Sequence, residues 1–442
     1  MTHGFLAELP YGKRKIAIRI PERLSTFLVE PRKMEASKDP SSEICRALDH
    51  PFGDGSLESL LKTGEKVAII VSDATRPTPS WIILPVLLDR LLAARIKEKD
   101  IEILIATGLH KPPSEAERLR ILGEETLRRG IRAFNHDAFE KASLTYIGET
   151  SLGTPLWVNK RAMEADFLIS DGYVEPHFFA GYTGGGKSIL PGISGLETIK
   201  INHGADRIDH PKARAGILMG NPIHEDILQA SKKAGLRFIL NVVLDPEKRI
   251  AKAFAGDAEE AHMAAISFLE NHVKVEAPPS DIVVTSNSGY PLDRNLYQAV
   301  KGMATAEEVV KQGGVIIIAS ECIDGVGHEG FYRLMASEPS PERVLEKIRQ
   351  PGFFMIDQWE AQVMARILLK ARVILVSEGL DKETGKAMHI QVVKSFEEAL
   401  SLAMKEVGRS PEVCVIPEGP YVLAKASKRR IGLISHKFSG FP

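Results

Sequence analysis

The chain has 442 residues, 44% hydrophobic and 26% charged, with a formal net charge of −1. That length exceeds what one hydrophobic core usually encloses, so two or three domains are expected, and the balanced charge gives no electrostatic reason to expect nucleic acid or an acidic membrane as partner. Three cysteines, Cys45, Cys322 and Cys414, lie far apart; they form no CxxC zinc or redox spacing, argue against a disulfide framework and fit a reducing cytoplasm.

The opening stretch MTHGFLAELPYGKRKIAI lacks the basic segment followed by a long apolar run of a signal peptide. No window reaches about 18 uninterrupted apolar residues, so no membrane-spanning helix is expected. RKIAIRI (14–20) alternates with period two and is predicted as a strand. VAIIVSD (67–73) is a short β-branched run, the pattern of a parallel strand buried on both faces. A helix is predicted from Pro79 to about Ile96, then a strand at IEILIAT (101–107), then a helix opened by Ser114 with Glu117 completing a capping box. ADFLIS (165–170) is a further strand, LRFILNVVLD (236–245) and RIAKAFAG (249–256) a strand pair, and AEEAHMAAISFLENHV (258–273) an amphipathic helix.

VEAPPSD (275–281) reads as a linker. Beyond it a second series follows: strands at 281–287, 315–320, 373–377 and 412–417, and helices over about 292–312, 341–350, 357–370 and 395–407. Alternating strands and helices predict two α/β domains with largely parallel sheets. The expected division is 1–274 for a domain carrying cofactor and metal residues and 275–442 for a second, with the last ~30 residues packing back on the first. Ligands in such sheets bind beyond the carboxyl ends of strands. SDATRPTPS, ATGLHKPP and SNSGYPLDRNLYQAVKG occupy such places, and the third lies in the second domain, so the active site is expected in the interdomain cleft.

The segment from Glu175 to His203 contains GYTGGGKS, which matches the phosphate-loop pattern GxxxxGK[ST]. A working phosphate loop joins a strand to a helix, yet the nearest strand ends about ten residues earlier, and Pro191 and Gly192 would disrupt the helix. The glycines still let backbone N–H groups approach an anion and bring Lys187 to a ligand without obstruction. Thirteen histidines occur. His3, His50, His136, His210, His262, His272 and His436 read as solvated or satisfied in the core. His110, His177 and His203 stand out at strand-end loops; two can serve as acid/base groups poised near neutral pH, and a third can ligate a transition metal. One histidine holds a catalytic metal poorly, so an organic ligand would complete the coordination, and Lys187 could anchor it covalently.

Other candidates carry plain structural readings beside functional ones. Asp73 can cap the next turn. Arg76 can lie on the surface or grip a carboxylate bidentately. Gln298 and Lys301 share a helix face with Tyr297 nearby, solvated or functional. Trp359 is more often core than pocket, and His328 in the glycine-rich SECIDGVGHEG is at first sight a loop residue.

Taken together, SDATRPTPS (72–80), ATGLHKPP (106–113), EPHFFAGYTGGGKSILPG (175–192), INHG (201–204), HPKARAG (210–216), LNVVLD (240–245), GYPLDRNLYQAVKGM (289–303), DGVGHEGFY (324–332) and DQWEAQVMARIL (357–368) resemble the nickel-dependent lactate racemase family, in its order and across most of the chain. The resemblance implies a nickel-pincer nucleotide (pyridinium-3,5-bisthiocarboxylic acid mononucleotide nickel), attached covalently through Lys187, with His203 as the one protein ligand to nickel. It implies His110 and His177 as the two acid/base histidines, Arg76 and Lys301 as contacts to the substrate's carboxylate and hydroxyl, and Gln298, Tyr297 and Trp359 in the substrate pocket. Asp73, Thr75, Gly185, Gly186 and Ser188 would line the cofactor. Gly186 departs from family members that carry a bulky basic residue there.

The implied reaction inverts the hydroxyl-bearing carbon of a small 2-hydroxy acid by hydride transfer to and from the cofactor, through a 2-keto acid. Cofactor-maturation proteins are the implied partners, and lactate, malate, longer 2-hydroxy acids and aldonates remain open as substrates. The alternatives are a phosphate-loop NTPase using GYTGGGKS and a non-catalytic nickel- or nucleotide-binding protein. A plain nicotinamide dehydrogenase would need a GxGxxG opening a helix after a strand, which the sequence lacks.

Overall fold

Val67–Ser72 and Phe167–Tyr173 are buried almost throughout. Strands apolar on both faces need helices on both sides. In the computed structural model, which describes residues 4–408 and 410–427, they form the middle of a six-stranded sheet in the unit Lys33–His272. Its order is Ile250–Gly256, Leu236–Leu244, Phe167–Tyr173, Val67–Ser72, Ile101–Ala106, Arg132–Asn135. All neighbours run parallel except the antiparallel pair of Leu236–Leu244 with Ile250–Gly256. The helix Ser80–Ala93 sends Ile83, Leu84, Leu87, Leu88 and Leu91 into a core with Ile69, Val71, Ile103 and Ile105. The expected capping box is present: Ser114 and Glu117 close the first turn of Glu115–Arg128 reciprocally.

The other unit comprises the described residues of Met1–Arg32 and Val273–Pro442. Its six-stranded sheet is wholly parallel, in the order Gln391–Val393, Ala371–Val376, Val310–Ala319, Ser280–Ser286, Glu412–Ile416, Ser25–Leu28. The two α/β domains with largely parallel sheets are as the sequence implied.

The expected domain limits need correction. The division near residue 274 stands, but the first 32 residues belong with the later part of the chain. The physical reason is a sheet face and a sheet edge that need covering. Gly4–Tyr11 and Arg14–Pro21 form an antiparallel hairpin, whose Leu9, Tyr11, Ile18 and Ile20 are buried in one core with Ile282, Val284, Val315 and Ile317. Ser25–Leu28 then pairs along Glu412–Ile416 as the edge strand, an edge that would otherwise expose unpaired backbone groups. The linker reading of 275–281 also changes, because Lys274–Ala277 is a strand paired with Leu423–Ala426. The expectation that the last ~30 residues return to the first domain falls in part on residues 428–442, outside the described residues. Their described part, Glu412–Ile416 and Leu423–Ala426, pairs within the second unit. Among the described residues no helix is long and apolar enough to cross a membrane.

Candidate active site

Val67–Ser72 lies between Ile101–Ala106, the next strand in sequence, and Phe167–Tyr173, added on its other side. The chain therefore reverses its direction of growth between Val67–Ser72 and Phe167–Tyr173, the kind of switch point beside which ligands bind in open α/β sheets. Asp73, Thr75, Arg76 and His110 sit there. Asp73 is only 4% exposed. Its Oδ1 accepts from the Thr75 backbone N–H at 3.1 Å and the Thr75 hydroxyl at 2.6 Å, and its Oδ2 lies 2.6 Å from His110 Nδ1. The imidazole itself is 40% exposed. Burial alone would raise the Asp73 carboxyl, but the His110 bond and charge, joined by Arg76, hold it below the usual carboxylate range. Arg76 is half-buried, beside Tyr173, Asp73 and Glu175, whose interactions outweigh burial and raise its pKa. Tyr173 donates its hydroxyl to Glu175, so the strand end carries a polar chain from Arg76 to Glu175.

Glu175 leads into the glycine-rich segment. Its N–H donates to the Thr183 hydroxyl at 2.9 Å, and the Thr183 N–H returns to the Glu175 carbonyl at 2.9 Å. Pro176–His177 and Gly181–Tyr182 form a two-strand hairpin, closed by Phe178, Phe179 and Ala180. Gly181 has φ +84°, and a Cβ there would lie 2.5 Å from the Ile217 carbonyl oxygen, so only glycine fits. His177 is buried, stacked on Phe178 with centroids 5.0 Å apart, and accepts the Ala180 N–H at Nδ1 over 3.2 Å. Phe179 gathers the remaining chemistry. Its ring centre lies 4.5 Å from that of His177, 5.1 Å from that of His203 and 6.0 Å from Lys187 Nζ.

Lys187 projects from the single 3-10 turn Gly185–Ser188. That turn is pinned from behind: Gly185 N–H donates to Asn241 Oδ1 at 2.8 Å, His262 Nε2 bonds the Thr183 carbonyl at 2.8 Å, and the Ser188 hydroxyl returns to the Gly185 carbonyl at 3.1 Å. Gly186 packs directly on the helix Pro222–Ala234; a Cβ would stand 2.8 Å from Ser231 Cβ and 3.1 Å from the Ile227 carbonyl oxygen. His203 closes the helix Leu196–Asn202. Burial, with the Lys187 and Arg207 charges, pushes its imidazole down to about 3, so near pH 7 it is neutral, the form that ligates metals.

The remaining expected residues lie in the other unit. Asn295 caps the helix Leu296–Glu307 by accepting the Gln298 N–H at 3.0 Å. Tyr297, Gln298 and Lys301 are half-buried on it. Trp359, 7% exposed, donates Nε1–H to the Tyr297 hydroxyl at 3.2 Å. Beside it, burial pushes the Glu360 carboxyl well above its usual range against the pull of the Lys301 charge. Tyr297 is likewise raised by burial, with the Glu360 and Asp357 charges adding to it.

Two groupings thus hold the expected residues of the first unit: Asp73, Thr75, Arg76 and His110 at one strand end, and His177, Lys187 and His203 around Phe179. Sequence reasoning missed Phe179, the Asn241 and His262 props and buried Glu360, although all but His262 lie inside the motifs that carry the resemblance. It gave Asp73 no part in holding His110, which the carboxylate does. His136 meets its bland reading: burial pushes it down to about 4, and its ring contacts the Ser194 carbonyl and Asn159. The phosphate-loop alternative lacks its geometry, because GYTGGGKS begins in a two-residue strand and ends in one 3-10 turn, with no helix between it and Leu196.

The family model for the lactate racemase N-terminal domain matches residues 11–216, and that for the lactate racemase C-terminal domain matches residues 275–424. The lactate racemase of Thermoanaerobacterium thermosaccharolyticum is 43% identical over 422 residues, 95% of this chain and 99% of that protein. That of Lactiplantibacillus plantarum is 42% identical over 422 residues, with the same coverage. The solved lactate racemase apoprotein from T. thermosaccharolyticum superposes with a TM-score of 0.91 at 43% identity, covering 95% of this chain and 100% of that one. A Thermotoga maritima protein shares the fold, with a TM-score of 0.66 at 20% identity, covering 89% of this chain and 100% of that one.

Proposed function

The chain belongs to the lactate racemase family, and on that premise we propose that it is a racemase of small 2-hydroxy acids, lactate first among them. In this proposal it works with a nickel-pincer nucleotide attached covalently through Lys187. The observation that carries the reading is the pair of histidines on loops leaving Ile101–Ala106 and Phe167–Tyr173, the two strands that flank Val67–Ser72. His110 is held through Nδ1 by Asp73, and His177 accepts the Ala180 N–H through Nδ1. With Nδ1 bonded to a carboxylate, the neutral tautomer of His110 carries its proton there and presents Nε2 as a base. With Nδ1 accepting an N–H, the neutral tautomer of His177 carries its proton on Nε2 and can donate it. One acid and one base, held by different partners, suit a reaction in which one group removes the hydroxyl proton and another returns a proton after the carbon has been inverted.

The residues present fit the proposed group. His203 is a buried neutral imidazole, and Lys187 stands on a turn whose glycines leave its side chain unobstructed beside Phe179. One imidazole is too few donors for a catalytic metal by itself, which suits a cofactor bringing carbon and sulfur donors of its own. When bound, the group supplies a hydride acceptor and donor for the hydroxyl-bearing carbon. Arg76 offers a guanidinium fork for the substrate carboxylate. Clamping the carboxylate while the hydroxyl-bearing carbon turns lets both enantiomers use one site. Each histidine would contribute about 10²–10⁴-fold by proton transfer. Cofactor-maturation proteins are the proposed partners. The thiols Cys45, Cys322 and Cys414 are free, which suits the cytoplasm proposed for the enzyme.

The test is a racemisation screen of cofactor-loaded protein on lactate, malate, longer 2-hydroxy acids and aldonates, read by chiral separation. Interconversion of lactate enantiomers supports the reading. Confirmed nickel and cofactor loading without turnover of any 2-hydroxy acid would instead favour a non-catalytic nickel- and nucleotide-binding protein.

A further inference from the structure

Asp73 and His110 are not the only carboxylate-held imidazole in the molecule. In the unit containing Tyr297 and Trp359, Asp357 Oδ2 lies 3.0 Å from His328 Nδ1. Asp357 adopts a left-handed conformation, φ 70° and ψ 8°, at the start of the helix Gln358–Lys370. A non-glycine residue in that region is under modest strain, and such residues recur where a side chain must be aimed. His328 in turn stacks on the Tyr297 ring, with centroids 3.9 Å apart and planes 11° from parallel. The Tyr297 hydroxyl accepts the Trp359 indole N–H at 3.2 Å, and Phe331 closes the edge of the Tyr297 ring at 5.6 Å.

The backbone supports the same arrangement. The loop before His328 docks on the start of the Tyr297 helix, where Leu296 N–H donates to the Gly325 carbonyl at 3.0 Å and Tyr297 N–H to the Val326 carbonyl at 3.1 Å. Gly327 has φ +93° and lies against Asn295, where a Cβ would meet the Asn295 side chain at 2.5 Å. Gly330 passes so close to the Ile356 carbonyl oxygen that a Cβ would lie 2.6 Å from it. The glycines of DGVGHEG therefore bring His328 between Tyr297 and Asp357. A loop histidine with no task would not need a carboxylate in a left-handed turn on one side and a coplanar phenol on the other.

We propose that His328 is a positioning residue: clamped by Asp357, its imidazole fixes the Tyr297 ring, and through the Tyr297 hydroxyl the Trp359 indole, in the geometry that receives the substrate. The inference rests on the proposed function for the identity of the substrate and for the place of Tyr297 and Trp359 in its pocket. It assigns His328 an effect on substrate binding and none on the proton-transfer steps.

The test separates the ring from the hydrogen bond. His328→Phe keeps a flat ring over Tyr297, His328→Asn keeps an N–H for Asp357, and His328→Ala keeps neither. All are made in a Trp81→Phe, Trp157→Phe background, which leaves Trp359 as the sole tryptophan. In protein without substrate, His328→Ala should shift Trp359 emission and raise its acrylamide quenching, and His328→Phe should restore both toward the parent. With cofactor-loaded enzyme, His328→Ala should raise KM for lactate roughly tenfold, the scale of one lost hydrogen bond to a charged group, with kcat within about twofold. Parent-like Trp359 emission and KM in His328→Ala would overturn the proposal, and so would a fall in kcat at unchanged KM. A parent protein that racemises nothing would defeat the proposed function alone, while the emission measurements would still decide the positioning role.

Discussion

Replacing Asp73 by asparagine changes one atom type and tests how the carboxylate controls His110. Asp73 Oδ1 already accepts two bonds from Thr75, at 3.1 Å from the backbone N–H and 2.6 Å from the hydroxyl. In Asp73→Asn the amide oxygen stays with those donors, so the amide nitrogen turns toward His110 Nδ1, where Oδ2 stood 2.6 Å away. An N–H facing Nδ1 makes that nitrogen an acceptor and puts the imidazole proton on Nε2, the wrong tautomer for a base. Asp73→Ala removes the hold but leaves the tautomer free. The loss for alanine is that of one charge-assisted hydrogen bond. Its lower end, about 1.5 kcal/mol, applies because solvent screens a half-exposed imidazole, and this corresponds to roughly tenfold in rate. Asparagine should cost more, about 10²–10⁴-fold, because it disables the base as well as releasing it. Initial rates of racemisation at saturating lactate, with nickel content and melting temperature matched, provide the assay. If Asp73→Asn retains more activity than Asp73→Ala, the tautomer argument is wrong. If neither variant loses activity, Asp73 does not serve His110.

Three further outcomes follow from the geometry. His177→Ala should lower kcat about 10²–10⁴-fold while nickel and cofactor content stay at parent levels; turnover within a few-fold of the parent at equal loading would remove His177 from the proton-transfer role. Gly186→Arg should destabilise the protein, because its Cβ would stand 2.8 Å from Ser231 Cβ; an overpacking cost of about 1–3 kcal/mol should appear in urea unfolding, and an unchanged midpoint would mean that the Pro222–Ala234 helix yields freely. Acid should unfold the cofactor-free protein early. Burial pushes His136, His224 and His262 down to about 4 and His203 to about 3, all from an ordinary 6.5. The unfolded chain therefore takes up more protons below 6.5, so their contribution is full above that pH and falls by up to about 1.4 kcal/mol per group per pH unit toward the folded values. Asp171, pushed up to about 7 by burial, runs the other way, its contribution lost as pH rises from 3.8 toward 7. Glu360 and Asp293, also raised by burial, act in the same direction as Asp171; three carboxyls oppose four imidazoles, so the melting temperature should drop between pH 6.5 and 5, and a flat or rising profile would contradict the burial of those imidazoles.

Most central strands were legible because they are apolar on both faces: VAIIVSD and ADFLIS could hardly be read as anything but the middle of a sheet. RKIAIRI was legible as a strand too, but the place of the N-terminal 32 residues in the fold was not. Ser25–Leu28 is an edge strand of mixed polarity, and its partner Glu412–Ile416 lies almost the whole chain away, so no local pattern announces the pairing. The sequence likewise located the strand-end clusters but could not show which residue touches which. Asp73 and His110 are 37 positions apart and meet only because Val67–Ser72 and Ile101–Ala106 are neighbours in register, Ser72 opposite Ala106. His328 looked like a loop residue because its partner Asp357 is 29 positions away and lies across a second helix. Phe179 was hidden in plain view: beside a histidine of obvious interest, an aromatic reads as packing, and only the ring distances show it between His177, His203 and Lys187.

The central claim is that one enantiomer becomes the other by moving hydride within the site while histidines exchange only the hydroxyl proton. L-lactate deuterated at carbon 2, incubated with nickel- and cofactor-loaded protein in ordinary water, tests it most directly when both enantiomers are recovered by chiral separation and weighed by mass spectrometry. The expected result is D-lactate that retains deuterium at carbon 2. D-lactate carrying solvent hydrogen there would contradict hydride transfer and point to proton abstraction from carbon, and no D-lactate at all would contradict racemisation itself.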